Sequence, residues 1–405
     1  MDDYQTVPLG ELGADRPSAF ATGPFGSAVS AKNFVAQGIP MLRGSNLSDD
    51  VGVRLDESDI VFVPEGLANQ YSRSIVGPGD LVFTCWGTVG QIGILDGGSR
   101  FKNYLVSNKQ MKVTVDLRRV IPMYLYYFLS QRHMIELVRG QAIGSSVPGF
   151  NLGQLKALPV RLPPLRVQEA IVGVLGAFDD KIAANERVCD LADGFLATTF
   201  ARMTKGCTWG ELCAIGDVNK RVLKPKRTGS LRYVDISSVG QGGYDLADPL
   251  PWSDAPGRAR RGLVAGDTVW STVRPNRRSH ALVLDSDDDL VASTGLAVLT
   301  PHAGRVAGLY EATRTEQFVT YLESVAEGSA YPAVRGDRFE FAPVPRLPPA
   351  QWDEFERIAL PIRERAHAAV VETRSLAHAR DELLPLLMSG KLRVKGAEAV
   401  ASEVL

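Results

Sequence analysis

Two stretches of this chain end on the same landmark, Leu158-Pro-Val-Arg-Leu-Pro-Pro-Leu165 and Ala342-Pro-Val-Pro-Arg-Leu-Pro-Pro-Ala350. Pro163 and Pro348 lie 185 residues apart, Gly79-Asp-Leu-Val-Phe83 precedes Gly266-Asp-Thr-Val-Trp270 by 187, and Gly10-Glu-Leu12 precedes Gly210-Glu-Leu212 by 200. Landmarks that keep their order while their offset drifts mark two copies of one unit with loops of different length. The 405 residues are therefore a duplicated fold.

Each copy has the same internal order: a Gly-rich, β-branched segment, a Pro-Pro stop, then a segment almost free of Gly and Pro. In the first part, Leu81-Val-Phe-Thr-Cys85, Gln91-Ile-Gly-Ile-Leu95, Met111-Lys-Val-Thr-Val115 and Leu296-Ala-Val-Leu-Thr300 sit between Gly and Asp punctuation and read as strands. Met123-Tyr-Leu-Tyr-Tyr-Phe-Leu129 and Glu316 to Val325 read as short helices.

After each stop the period changes. Ile171, Leu175, Phe178, Ile182, Asn185, Cys189, Ala192, Leu196, Thr199 and Met203 alternate four and three apart, the seam of a coiled coil. Phe355, Ala359, Ile362, Ala366, Ala369, Thr373, Leu376, Arg380, Leu383 and Leu387 repeat that rhythm. At 1.5 Å per residue each helix reaches roughly 50 Å, and a stripe that long needs a partner. The two helices are expected to pack on each other, with Ala359, Ala366 and Ala369 permitting close approach and Asn185 fixing register. Pro385 and Gly390 predict a kink and a stop, and the tail beyond is expected to fray. The fold class is α+β, in five parts: a β-rich domain over 1–164, a helix over 165–205, a second β-rich domain over 206–349, a second helix over 350–392 and a flexible tail over 393–405.

Composition excludes several classes. Hydrophobic residues at 45% and charged residues at 22% suit a globular chain. The longest uncharged apolar run, Leu81 to Leu95, contains three Gly and is too short to span a bilayer. Asp2, Asp3 and Glu11 precede no apolar stretch, so a cytoplasmic protein without a secretory signal is expected. Four Cys without C-x-x-C spacing and five scattered His give neither a disulfide framework nor a zinc site. No phosphate-binding loop, nucleophile elbow or Asn/Asp-Pro-Pro-Tyr motif of adenine methyltransferases is present, and catalysis has no positive evidence.

A net charge of -1 conceals local concentration. Lys220, Arg221, Lys224, Lys226, Arg227 and Arg232 stand against Asp217 alone, and Arg258, Arg260, Arg261, Arg274, Arg277 and Arg278 against Asp267 alone. Arginine suits guanine and phosphate, and Asn suits adenine, so the Arg274-Pro-Asn276-Arg277-Arg278 stretch is a candidate base reader. In the first copy Ser27, Ser30, Lys32, Arg43, Ser45, Asn46, Trp86, Thr88 and Lys109 form a polar set on glycine-permitted loops.

Taken in order, Gly23-Pro-Phe-Gly-Ser27, Gly38-Ile-Pro-Met-Leu-Arg-Gly-Ser-Asn-Leu47, Gly79-Asp-Leu-Val-Phe83 and Trp86-Gly-Thr-Val-Gly90 resemble the target-recognition domain of type I restriction-modification specificity subunits. The run from Leu158 through Gln168 into Ile171 and Phe178-Asp-Asp-Lys-Ile182 resembles the family's conserved-region helix, and Leu383-Leu-Pro-Leu-Leu-Met-Ser-Gly-Lys-Leu392 its C-terminal ending. The resemblance implies a non-catalytic subunit whose two domains each read half of a bipartite site on double-stranded DNA. It implies an antiparallel helical spacer, with Ile171, Phe178, Ile182, Asn185, Leu196, Ile362, Leu376 and Leu383 on its seam, that recruits two modification subunits and, through them, restriction subunits. S-adenosylmethionine would belong to the modification partner, and no cofactor to this chain. The second copy departs from the pattern, with Ser271-Thr-Val-Arg-Pro275 where the first has the Trp86 turn, which implies an asymmetric target. Two other classes stay open on residues alone: a coiled-coil scaffold with duplicated protein-binding modules, and an enzyme with an unfamiliar site.

Overall fold

The computed structural model describes residues 4–26, 28–144, 148–226 and 228–404. It divides into two compact units, residues 1–183 with 373–405 (unit 1) and 184–372 (unit 2).

Unit 1 opens with β1 (Gln5–Pro8), which pairs antiparallel with β10 (Pro159–Leu162) and so ties the start of the domain to its end. Between them, β2 (Phe20–Thr22), β9 (Gln110–Val113), β6 (Leu81–Thr84) and β7 (Ile92–Ile94) form an antiparallel sheet in that order. A second sheet runs β4 (Val61–Val63), β3 (Ile39–Leu42), β8 (Tyr104–Val106), β5 (Ile75–Val76), with β3 and β8 parallel. Every residue of β6 to β9 is buried, as their continuous apolar runs require. Four helices complete the domain: α1 (Glu65–Gln70), α2 (Pro122–Leu129), α3 (Arg132–Gln141) and α4 (Leu152–Ala157). Pro122 starts α2 where its missing N–H costs nothing, and Asn151 caps α4 by accepting from Gln154 N at 2.9 Å.

The long helix α5 (Leu165–Met203) follows the Pro-Pro stop. Unit 2 then repeats the plan. β11 (Thr208–Glu211) pairs with β20 (Pro343–Arg346). β12 (Gly216–Val218), β19 (Leu296–Pro301), β16 (Thr268–Ser271) and β17 (His280–Leu282) form the antiparallel sheet. β14 (Leu250–Pro251), β13 (Ser230–Val234), β18 (Leu290–Ser293) and β15 (Ala259–Gly262) form the mixed one, parallel between β13 and β18. α6 (Val306–Ala312) and α7 (Glu316–Ser324) stand where α2 and α3 stand in unit 1, and α8 (Pro349–Met388) follows the second stop.

The repeated Gly-Asp pair now has a physical reason. Gly79 and Gly266 take φ of 86° and 96°, conformations open to glycine, at the turns entering β6 and β16. Asp80 accepts from Gly77 N and Asp267 from Val264 N, both at 2.9 Å, locking those turns. Both carboxylates are buried, and each has a threonine and a cation beside it: Thr114 and Lys112 in unit 1, Thr300 and Arg221 in unit 2.

The helical seam follows the sequence pattern. In unit 1 the first half of α5 buries Ile171, Leu175 and Phe178, with Ile182 partly buried, in one core with Leu376, Leu383 and Leu387 of α8. In unit 2 Leu196 and Phe200 of α5 share a core with Phe355 and Ala359, and Ile362 packs against it. The pairing is antiparallel: Asn185 donates to Glu372 at 2.9 Å, Cys189 to the Ala366 carbonyl at 3.5 Å, and Arg363 to Asp193 at 2.9 Å. Asn185 is buried, so its bond to Glu372 fixes one register at that point.

Three boundary expectations are corrected. α5 ends at Met203, short of the expected 205, and α8 ends at Met388, short of the expected 392, because Gly390 at φ 69° follows just beyond its last turn. The expected flexible tail contains a helix, α9 (Val394–Val404), which follows Gly390 at φ 69°. Its Ala397 and Ala401 are buried in the unit 1 core, and that burial holds the segment in place. No helix among the described residues is long and apolar enough to cross a membrane.

Candidate nucleic-acid interface

In unit 1 the loops at one end of the sheets are tied together by their backbones. Cys85 N donates to the Lys109 carbonyl at 2.7 Å, Phe150 N to the Cys85 carbonyl at 2.9 Å, Gly87 N to the Pro148 carbonyl at 3.2 Å, Gly23 N to the Gln110 carbonyl at 3.1 Å and Ser107 N to the Leu42 carbonyl at 2.9 Å. Asn108 Nδ2 adds a bond to the Gly26 carbonyl at 3.1 Å. Segments 23–26, 42–46, 85–91, 107–110 and 148–150 thus form one face. A Cβ on Gly23 would come 1.9 Å from the Ser107 carbonyl oxygen, so only glycine fits there.

Unit 2 builds the same frame. Thr272 N donates to the Gly295 carbonyl and Val334 N to the Thr272 carbonyl, at 2.9 and 2.8 Å, and Arg274 N to the Pro332 carbonyl at 2.7 Å. Matching bonds place Gly87 and Arg274 at the same position. Both have positive φ, 90° for the glycine and 53° for the arginine. Arg278, at the other end of the same turn, is also left-handed, at 54°. Such a conformation costs a non-glycine residue roughly 1 to 2 kcal/mol, which singles out the Arg274–Arg278 turn. Arg274 lies over the Tyr331 ring at 4.3 Å and donates to the Ala330 carbonyl at 3.3 Å, so its guanidinium is aimed.

Behind this turn, buried His280 stacks on Trp270 at 4.8 Å and 13°. Its backbone bonds Gly240 and Gly242, each at 2.8 Å, and its Nδ1 meets the Arg278 carbonyl at 2.6 Å. A carbonyl can only accept, so Nδ1 carries the proton and Nε2 is left buried without a partner among the described residues. Burial lowers the His280 pKa to about 4, against the pull of the Arg278 carbonyl.

The candidate residues separate by environment. Lys32, Lys109, Lys224, Asn276 and Arg277 are exposed, with no side-chain hydrogen bond or ion pair to any described residue. Trp86 is half exposed, with Thr88 beside it on the turn. Lys226 lies over the Trp252 ring at 5.8 Å, and Ser45 is exposed. Other candidates hold the protein itself. Asn46 is fully buried, accepting from Arg43 N at 2.9 Å and donating to the Asp56 carbonyl at 2.8 Å, so it builds its turn and does not face outward. Arg43 donates to the Asp59 carbonyl at 2.7 Å, and Ser30 N donates to Asn33 Oδ1 at 2.9 Å within its own turn. Arg221 neutralises Asp267, Lys220 pairs with Asp217 at 2.8 Å, Arg278 with Glu316 at 2.6 Å, and Arg232 lies 3.7 Å from Asp289. Ser27 and Arg227 lie outside the described residues.

Several residues of this face escaped the sequence reading. Phe25 and Ile143 are strongly exposed, and Tyr331 stacks under Arg274. Gly149 leaves no room for a side chain, since its Cβ would sit 2.6 Å from the Trp86 ring. A further repeat, Gly144 and Pro148 against Gly328 and Pro332 at a common offset of 184, was the available signal.

Residues 1–189 match the family model described as the type I restriction modification DNA specificity domain. The same sheet orders and loop frame recur in unit 2. Residues 1–189 thus carry the match to that specificity domain, and the chain is similar to type I specificity subunits over most of its length. It is 21% identical over 394 residues to the MjaX type I restriction enzyme specificity subunit of Methanocaldococcus jannaschii, with 88% of each chain covered. Its fold is also that of the crystal structure of a type I restriction-modification S subunit from M. genitalium, at a TM-score of 0.59 and 14% identity, covering 95% of this chain and 96% of that one. The two faces just described carry Trp86 and Gly87 in one frame and Val273 and Arg274 in the other.

Proposed function

We propose that this chain selects the duplex sequence on which a type I restriction-modification complex acts, unit 1 reading one half of a bipartite, asymmetric site and unit 2 the other. It performs no chemistry. Two modification subunits seated on α5 and α8 would bind S-adenosylmethionine and methylate adenine, and restriction subunits would join through them.

The observation that carries this reading is one backbone frame presented twice with different side chains. A shared frame with variable tips is how a scaffold accommodates different sequences. Lys32, Lys109, Lys224 and Arg277, exposed and without an ion pair among the described residues, supply charge for phosphate and bases from a chain whose net charge is only -1. Leu191 and Phe195, four apart on α5 in unit 2 and both largely exposed, offer an apolar strip for a protein partner.

The test is a genome-wide map of methylated adenine in cells expressing this chain with its modification subunit, against cells lacking this chain. The expected result is a two-part asymmetric motif that vanishes with the chain. Unchanged methylation would overturn the reading.

A further inference from the structure

The frame bonds align Trp86-Gly87 with Val273-Arg274 residue for residue, since Gly87 N and Arg274 N make the same bond to Pro148 and Pro332. At one address in the fold, the units therefore present opposite chemistry. Unit 1 presents an indole, half exposed and held against Gly149 by a close approach that a Cβ would prevent. Its flank is apolar too: Ile143, which pairs with Gly149, is 70% exposed, and Phe25, beside the Gly26 carbonyl held by Asn108, is 81% exposed. Unit 2 presents the aimed guanidinium of Arg274 and the exposed one of Arg277, which has no ion pair among the described residues.

Base edges offer partners for both. In the major groove thymine alone carries a methyl group, which apolar side chains contact, while guanine presents two acceptors that match an arginine fork. Resting on the DNA-reading role above, we propose that unit 1 recognises its half-site through thymine methyls laid against the Trp86 turn, and unit 2 recognises guanine through Arg274 and Arg277. Loss of one methyl from apolar contact costs about fourfold in affinity, the equivalent of about 0.8 kcal/mol. Loss of a bidentate contact to guanine costs more, roughly fivefold to over a hundredfold.

The experiment selects randomised duplexes on the full chain with its modification subunit. It uses three libraries: natural DNA, DNA with deoxyuridine for thymine, and DNA with 7-deazaguanine for guanine. Trp86→Ala identifies the half-site belonging to unit 1 as the one whose base preference it erases, and Trp86→Phe, which keeps an apolar ring, should restore it. The deoxyuridine library is expected to lose base preference in that half-site and keep it in the other. The 7-deazaguanine library should do the reverse. An unaltered unit 1 preference in deoxyuridine DNA overturns the proposal, and would be the result if Trp86 wedged between bases instead of touching a methyl. Absence of any selected motif in natural DNA would instead overturn the DNA-reading role itself.

Discussion

Asp179 of α5 and Arg380 of α8 form an ion pair at 3.0 Å in unit 1, both side chains nearly sealed from solvent. Arg54 reaches the same carboxylate at 3.0 Å and the Tyr127 hydroxyl donates to it, so the pair binds the helices to the domain above them. Unit 2 has a counterpart in Asp193 of α5 and Arg363 of α8 at 2.9 Å, with Glu311 of α6 and Arg314 completing it. Glu311, Tyr310 and Asp193 hold the Arg363 guanidinium charged against the opposing effect of burial. In both places α5 supplies the acid and α8 the arginine, and Arg380 also pairs with Asp381 of its own helix at 2.8 Å.

Arg380→Met is therefore expected to destabilise unit 1 by about 3 kcal/mol, since among the described residues Asp179 keeps only the partly buried Arg54 as a counter-charge. The double variant Asp179→Asn/Arg380→Met should be more stable than the single one. Urea midpoints check both, and a fully additive double variant would remove the pair from the argument.

Two arginines of unit 2 that look alike in sequence should behave in opposite ways. Arg221 neutralises fully buried Asp267, and Arg221→Ala should cost about 3 kcal/mol of stability by stranding that carboxylate. The Arg277 side chain has no hydrogen bond or ion pair to any described residue, so Arg277→Ala, which keeps its backbone bonds, should leave the urea midpoint unchanged and weaken binding to the preferred site by about 1 to 3 kcal/mol. An equal loss on every sequence would mark it as a phosphate contact.

Arg274→Gly separates function from folding more sharply. Glycine accepts φ 53° freely, so the variant should be at least as stable as the parent while losing base preference in the unit 2 half-site. A destabilised variant with intact preference would make Arg274 a structural residue through its stack on Tyr331.

Partner seating has its own test. Leu191→Asp with Phe195→Asp places charge on an exposed strip outside the unit 2 core. Co-purification of the modification subunit should fall, and the urea midpoint should hold. Undiminished association would locate the partner elsewhere.

Much of the architecture was legible because it rests on periodicity. The seams of α5 and α8 keep a four-and-three spacing and the Gly-Asp turn recurs in both copies, and each reflects a burial pattern that local sequence must satisfy. The site was less legible. Charge alone cannot separate Arg277, whose side chain is exposed, from Arg221, whose partner Asp267 is 46 residues distant. Nor does a helix-capping role follow from sequence register: Gln168 holds the start of α2 by accepting from Ile121 N, whereas Glu356 does so for α6 by accepting from Ala307 N and Gly308 N. The tail was misread for a related reason, since two alanines make a weak pattern until the surface they cover is known.

The buried His280 ring predicts a pH dependence with a definite sign. In the native state its pKa is about 4, whereas an unfolded histidine titrates near 6.5. Below about 6.5 the unfolded chain therefore takes up a proton that the native chain refuses, and stability present above that pH is lost as pH falls toward 4. The full loss is about 3 kcal/mol. A proton on Nε2 would have no acceptor among the described residues, so charging the ring requires it to leave the Trp270 stack and release Gly240, Gly242 and the Arg278 carbonyl. His280→Phe keeps the stack and removes the titration. Subtracting its urea midpoints from those of the parent should give a curve that is flat above pH 6.5 and falls between 6.5 and 4. A flat difference throughout would show that the native ring accepts the proton where it stands.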